Sequence, residues 1–451
     1  MKKIDNHKSV NIGVLVSFAF LAFLFLLLYF LPVQNALIFL GERLVSHPLN
    51  HDAWIFRFDY WSKFFAPIFL SVFIFKFFSF FFSEHCSNSF LNLLRCIATM
   101  MVYILHTSIF TNSRGAYLFG KNYMKIFQTP AWGGVWIFFI LSGYLAGKGF
   151  SDERYAFDMK SICRYYSNKF FKVIVPTFSF IFLCCVLIYP SYIKNNPIAV
   201  FKFLTFSYNG NPGANGIGAT WYVFTLVPLY LLAPIFAFIV RKTTERKVSL
   251  ICIFVALIFI GFLYRYFGIK FDIDWYNMVY TPFFANIDLF FGGICLNQII
   301  NSFENRKFHN TLLKDFSLFA LFAFILVNSI FYEKYLFYQV FCPSIYLIIV
   351  AFCLYVFSDE SWVKYYESPM EKAIAFFSGI SFEFYLFHSL ILHTILPAFG
   401  EQNVVILHFK LLIIGFVLTS ICAIGFKRIF EKKNPVLNTD MQKSQKSEAK
   451  T

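Results

Sequence analysis

Residues 91–110 read LNLLRCIATMMVYILHTSIF, an apolar run long enough to cross a bilayer that nevertheless carries Arg95 and His106. An α-helix turns about 100° per residue, so eleven steps make about three whole turns. Both side chains therefore lie on one helix face, about 16 Å apart along the axis. Ionisable residues at membrane depth are costly and usually face a cavity or a partner. An aligned pair of them marks this helix as the one around which a site is built.

The rest of the chain supplies a membrane setting. Of 451 residues, 59% are hydrophobic and only 14% charged, and 67 are phenylalanine, which predicts an integral membrane protein. Apolar runs predict an all-α, polytopic bundle of about twelve helices. Two come first, Val10–Leu31 and Lys63–Ser83, followed by Leu91–Phe110, Gly133–Phe150, Phe171–Tyr189, Trp221–Val240 and Val248–Gly268. Pro282–Ile300, Phe316–Phe331, Val340–Phe357, Ile374–Pro397 and Val404–Phe426 complete the set. Residues 151–172 read as a basic amphipathic segment, 190–220 as a long loop with turn chemistry, and 434–451 as a polar tail.

The net charge of +15 does not indicate nucleic acid, because the basic residues lie in short loops and the tail, with no soluble stretch long enough for a binding domain. With the N-terminus in the cytoplasm, the inner segments hold more than twice the Lys and Arg of the outer loops. That predicts both termini inside, with Arg95 near the inner face and His106 in the outer half. The ten cysteines lie mostly in apolar runs without a CxxC pair, and no His/Cys spacing suits a metal, so no metal is expected.

Several spaced motifs resemble those of the integral-membrane acyltransferase 3 family of bacteria, over residues 88–433. Arg95-x10-His106 resembles the family's first-helix signature. GGVWIFFILSGYL, with Ser142 and Gly143, resembles its Gly-rich helix, and NKFFKVIVP its basic segment, here with Lys169 and Lys172 where arginines are usual. TWYVFTLVPLYLLAPI, ISFEFYLFHSLIL and FKRIFEKKNP resemble the later motifs. The resemblance implies a ten-helix acyltransferase domain at 88–433, preceded by an N-terminal segment, 1–87, with two extra helices. It implies O-acylation, O-acetylation foremost, of a surface polysaccharide such as lipopolysaccharide O-antigen, or of its lipid-linked precursor. Acetyl-CoA or another acyl-CoA would be the donor, at the bacterial inner membrane.

The residues can be assigned roles on that basis. Acyl transfer to a hydroxyl needs a base, and histidine titrates near working pH; His106 is the candidate. Arg95, Arg164, Lys169 and Lys172 are expected at the inner face, where donor phosphates need cations; for the last three, plain positive-inside charge is the competing reading. Asp288 is expected either to orient the imidazole or to pair with another helix. Ser142 and Gly143 are expected beside the substrate or one layer behind it, and His388 in packing or support. Trp221 either stacks on a sugar or anchors the outer interface. The competing functions are a transporter or flippase and a polymerase of lipid-linked glycan. Against them, the sequence shows no clear internal repeat, and residues 190–220 contain no arginine.

Overall fold

In the computed structural model, the described residues are 87–112, 117–118, 121–122, 131–152, 154–188, 190–196, 198–206, 216–243, 246–271, 275–302, 311–331, 336–358, 369–399 and 404–432. The expected helices Val10–Leu31 and Lys63–Ser83 and the tail beyond residue 432 lie outside them.

Among the described residues, ten principal helices form a polytopic bundle: α1 Ser87–Asn112, α2 Ala131–Ser151, α3 over residues 159–188, α4 Trp221–Thr243 and α5 Lys247–Lys270, then α6 Ile287–Ser302, α7 Thr311–Phe331, α8 Leu336–Val356, α9 Pro369–Ile395 and α10 Val404–Lys432. Eight helical segments among the described residues are long and apolar enough to cross a membrane; α7 and α8 contribute shorter apolar stretches. Helices satisfy their backbone internally, which is what hydrocarbon requires. The only described strands, Tyr117–Leu118 and Lys121–Asn122, form a two-residue antiparallel ribbon.

The centre of the bundle is the crossing of α2 with α6. A Cβ added at Gly143 would stand 1.8 Å from the Phe290 carbonyl oxygen, and one at Gly293 would stand 2.3 Å from the Ile140 carbonyl oxygen. Glycine at both positions lets the two backbones touch. Gly143 was expected near substrate; instead it is a contact point between helices, because the space a side chain would need is filled by α6.

On one flank, α1 runs parallel to α9. Ser378 Oγ donates to Asn92 Oδ1 (2.9 Å), Cys96 Sγ to the Ile374 carbonyl (3.3 Å), and the rings of Tyr103 and Phe384 meet at 5.3 Å. Helix α10 returns antiparallel. The Tyr103 hydroxyl donates to the Leu411 carbonyl (2.7 Å) and Lys427 Nζ to the Gly379 carbonyl (2.8 Å), at opposite ends of α10. On α4, α5 and α10 the outward faces expose large apolar residues such as Ile235, Phe259, Ile413 and Ile421. Such a belt suits lipid, and in water it would be a liability.

Two expectations about the chain between α2 and α4 are corrected. From residue 159 the basic segment continues without a break into the following span as one helical rod, α3. It begins at an N-cap where Asp158 accepts from the Ser161 backbone N–H at 2.9 Å, a bond that holds the carboxyl below its usual range. Two π turns, Phe170–Ile174 and Leu183–Ile188, interrupt it. The first precedes Pro176, whose missing N–H would break an ordinary α ladder, and Thr177 Oγ1 donates back to the Val173 carbonyl at 2.7 Å. The expected loop 190–220 contains the short helices Pro190–Asn195 and Ile198–Leu204. Ala199 and Phe203 bury one face of the second helix, with Phe203 stacking on Phe224 at 5.7 Å.

Gly143→Ala should cost about 1–3 kcal/mol or more of thermal stability in detergent, since a methyl group there forces α2 and α6 apart. Gly425→Ala, whose Cβ would meet nothing within 4 Å, is the control and should leave the unfolding midpoint nearly unchanged. Equal midpoints for the two variants would contradict the close crossing.

Candidate functional site

Where α1, α2, α3, α4, α9 and α10 converge, toward the Arg95 end of α1, they enclose a cavity of ≈ 470 Å³. Three cations line it: Arg95 from α1, Lys172 from the first π turn of α3 and Lys427 from α10. Glu383 from α9 joins them. Toward the middle of the bundle the lining becomes Phe138, Ser142, Tyr222 and Tyr385. Ser142 Oγ and the Tyr222 hydroxyl are hydrogen-bonded at 3.2 Å.

Of the four cations expected together, Arg95 and Lys172 line this cavity. Lys169 faces a neighbouring, apolar hollow of ≈ 300 Å³, with Nζ 4.0 Å from the centroid of the Tyr230 ring and 5.5 Å from that of Tyr165, in cation–π contact. Lys172 is only three positions beyond Lys169, but it lies within the π turn that starts after Lys169, which changes the direction each faces. Arg164 is exposed on α3 and lines neither space. Lys427 was missed. Its signal was the FKRIF segment, but α10 reaches the cavity only because it folds back antiparallel along α9.

Farther along α1 and α9, the parallel pairing brings His106 and His388 together, with ring centroids 4.7 Å apart and the planes at 80°. His106 Nδ1 is 2.8 Å from the Val102 carbonyl, and His388 Nδ1 is 2.5 Å from the Tyr385 carbonyl. A carbonyl only accepts, so each Nδ1 carries the proton and each Nε2 of a neutral ring keeps its lone pair. Among the described residues, the buried His388 Nε2 has no hydrogen-bond partner. His388, expected only in packing or support, thus stands ring to ring with the candidate base.

Asp288 does not orient either imidazole. Both its carboxylate oxygens are held by Arg265 of α5: Nη1 to Oδ1 at 3.1 Å and Nη2 to Oδ2 at 2.8 Å. The remaining N–H groups of Arg265 donate to the Ala285 and Val340 carbonyls and to Ser344 Oγ, so all five donors are used. The pair is essentially sealed, with side-chain exposures of 3% and 0%. Gly261 makes room for it: a Cβ there would meet the Asp288 carboxylate at 2.3 Å. The sequence signal was an arginine deep in an apolar helix with no acid nearby on the same helix.

Trp221 is neither an interface anchor nor a cavity wall. It is buried at 6% exposure in an aromatic cluster with Tyr280 (4.9 Å) and Tyr276 (6.3 Å). It starts α4 with its ring turned inward. Among the described residues, no three His, Cys, Asp or Glu side chains gather as metal ligands do.

These features define a multi-pass membrane protein in which a cavity lined by three cations lies toward the Arg95 end of α1 and two imidazole rings meet farther along the same helix. The family described as an acyltransferase domain matches residues 88–426, most of the chain. The chain therefore belongs to the acyltransferase 3 family and is a membrane acyltransferase. No curated protein and no solved structure matches it.

Asp288→Asn leaves the Arg265 guanidinium buried without its counter-charge and should destabilise the protein by about 3–5 kcal/mol, read as the thermal midpoint in detergent. The double variant Arg265→Met/Asp288→Leu should recover much of that. A loss of activity in Asp288→Asn at unchanged stability would return Asp288 to the histidines.

Proposed function

We propose that the protein transfers an acyl group, acetyl foremost, from cytoplasmic acyl-CoA to a hydroxyl of a cell-surface polysaccharide or its lipid-linked precursor. It does so in the bacterial inner membrane, with both termini in the cytoplasm. The observation that carries the reading is the arrangement along α1 and α9: cations around a cavity at one end, and His106 against His388 farther along. The excess of Lys and Arg in alternate loops supports an orientation with the cavity facing the cytoplasm, where acyl-CoA is made.

Arg95, Lys172 and Lys427 then meet the donor phosphates. Arg95 offers a planar fork suited to them, and the two lysines offer compact point charges. The acyl end points toward the histidines. The acceptor oxygen attacks the thioester carbonyl carbon, the new C–O bond forms, and the C–S bond breaks. His106 takes the hydroxyl proton on Nε2 and passes it to the departing thiolate, so the products are an ester and free CoA. Held Nδ1–H to a carbonyl, its ring needs no tautomer change to act in both directions. Asp288, bound to Arg265, takes no part in the proton transfer; it fixes α6 against α5.

The class of reaction is tested by mass spectrometry of the surface glycan from cells with and without the protein. An added mass of acetyl size is expected, and identical glycans would overturn the proposal. His106→Gln should lower acylation per unit of inserted protein by about 10²–10⁴, because an amide keeps the shape of the site but cannot take up a proton. Substantial activity at wild-type abundance would move the base to His388.

A further inference from the structure

Three aromatic rings cluster in the cavity wall from which Tyr385 reaches His388. Phe138 comes from α2, Tyr222 from α4 and Tyr385 from α9, and all three line the cavity. Each touches the other two. The centroids are 6.0 Å apart for Phe138 and Tyr222, 6.1 Å for Phe138 and Tyr385, and 5.6 Å for Tyr222 and Tyr385. Rings at these separations are in contact. Behind them, Tyr385 lies 5.5 Å from the His388 ring, which is not part of the cavity lining. A group moving from the cavity toward His388 meets Tyr385, and with it the two rings that Tyr385 touches.

The three rings are not held equally. The Tyr222 hydroxyl is bonded to Ser142 Oγ at 3.2 Å, and the Tyr385 hydroxyl donates to the Ala219 carbonyl at 2.6 Å. Both of these rings are buried, at 5% and 4% exposure. Phe138 has no polar atom with which to be tethered and is only half-buried. It is the ring that can turn aside at least cost.

We propose that the Phe138–Tyr222–Tyr385 triangle selects the length of the acyl group, with Phe138 as the specificity-determining residue. The inference rests on the acyl-CoA reading of the cavity. In that reading the donor's phosphates stay with Arg95, Lys172 and Lys427, and only its acyl end must pass the rings to reach His106 and His388. Displacing Phe138 by the width of a methyl-terminated thioester is a small rearrangement. A longer chain must also find room for each further methylene among rings fixed by their hydroxyls and backed by buried Phe139, whose ring lies 4.7 Å from that of Tyr222. Packed walls of this kind discriminate by about tenfold or more per methylene.

The test supplies acetyl-CoA, butyryl-CoA and hexanoyl-CoA separately to membranes containing wild type, Phe138→Leu or Phe138→Ala. It reads both CoA release and acyl mass on the glycan. Phe376→Ala, at an exposed position of α9 away from the cavity lining, is the control. Wild type should strongly prefer acetyl. The hexanoyl-to-acetyl ratio should rise about tenfold or more in Phe138→Ala and by less in Phe138→Leu, and should not move in the control. The ratio is internal to each preparation, so reduced protein abundance does not change it, and Phe138→Leu carries the test where Phe138→Ala fails to insert. An unchanged ratio alongside continuing acetyl transfer would overturn the triangle alone. A wild type that uses no acyl-CoA of any length would overturn the donor reading, and the triangle with it.

Discussion

The parallel pairing of α1 with α9 is the constraint on which the site depends. Two helices in contact over several turns share a common axis scale, so a residue on one selects its neighbour on the other. Asn92 meets Ser378 at one end, Tyr103 meets Phe384 in the middle, and His106 meets His388 beyond it. A shift by one turn would move the imidazoles about 5.4 Å apart along the axis and break the pair. Helix α10 locks that register from outside, through Tyr103 at one end and Lys427 at the other.

The remaining helices fix the walls. Where the hydrophobic effect no longer distinguishes a neighbouring helix from lipid, close packing and hydrogen bonds decide association. The glycine contact of α2 with α6 supplies the first. The Arg265–Asp288 pair, with Ser344 from α8, supplies the second and ties α5, α6 and α8 together. With α2 seated on α6, Phe138 and Ser142 come to the cavity, while Gly143, the next residue after Ser142, stays in the crossing.

Charge is distributed accordingly. The buried arginine has every donor satisfied and is structural. The half-buried Arg95 faces a cavity wide enough for a ligand, together with Lys172 and Lys427. Both arginines lie in apolar helices, and what separates their roles is whether protein or open space surrounds the guanidinium.

Much of this was legible in the linear chain. Apolar length alone established a polytopic helical protein, and the Arg95-x10-His106 spacing established one shared face, because both follow from the fixed rise and twist of a helix. The order of the motifs indicated the family. Local periodicity says nothing, however, about which helices are neighbours or in which direction they run. It could not show that His388 would meet His106, that Lys427 would fold back to the cavity, or that Asp288 would be taken by Arg265. Nor could it separate Lys172 from Lys169, since a π turn alters the facing of residues that an α period would place together. Helix identity is set by near-neighbour hydrogen bonds and side-chain polarity, which the sequence carries. Helix partnership is set by contacts between residues hundreds of positions apart, and only the assembled bundle decides it.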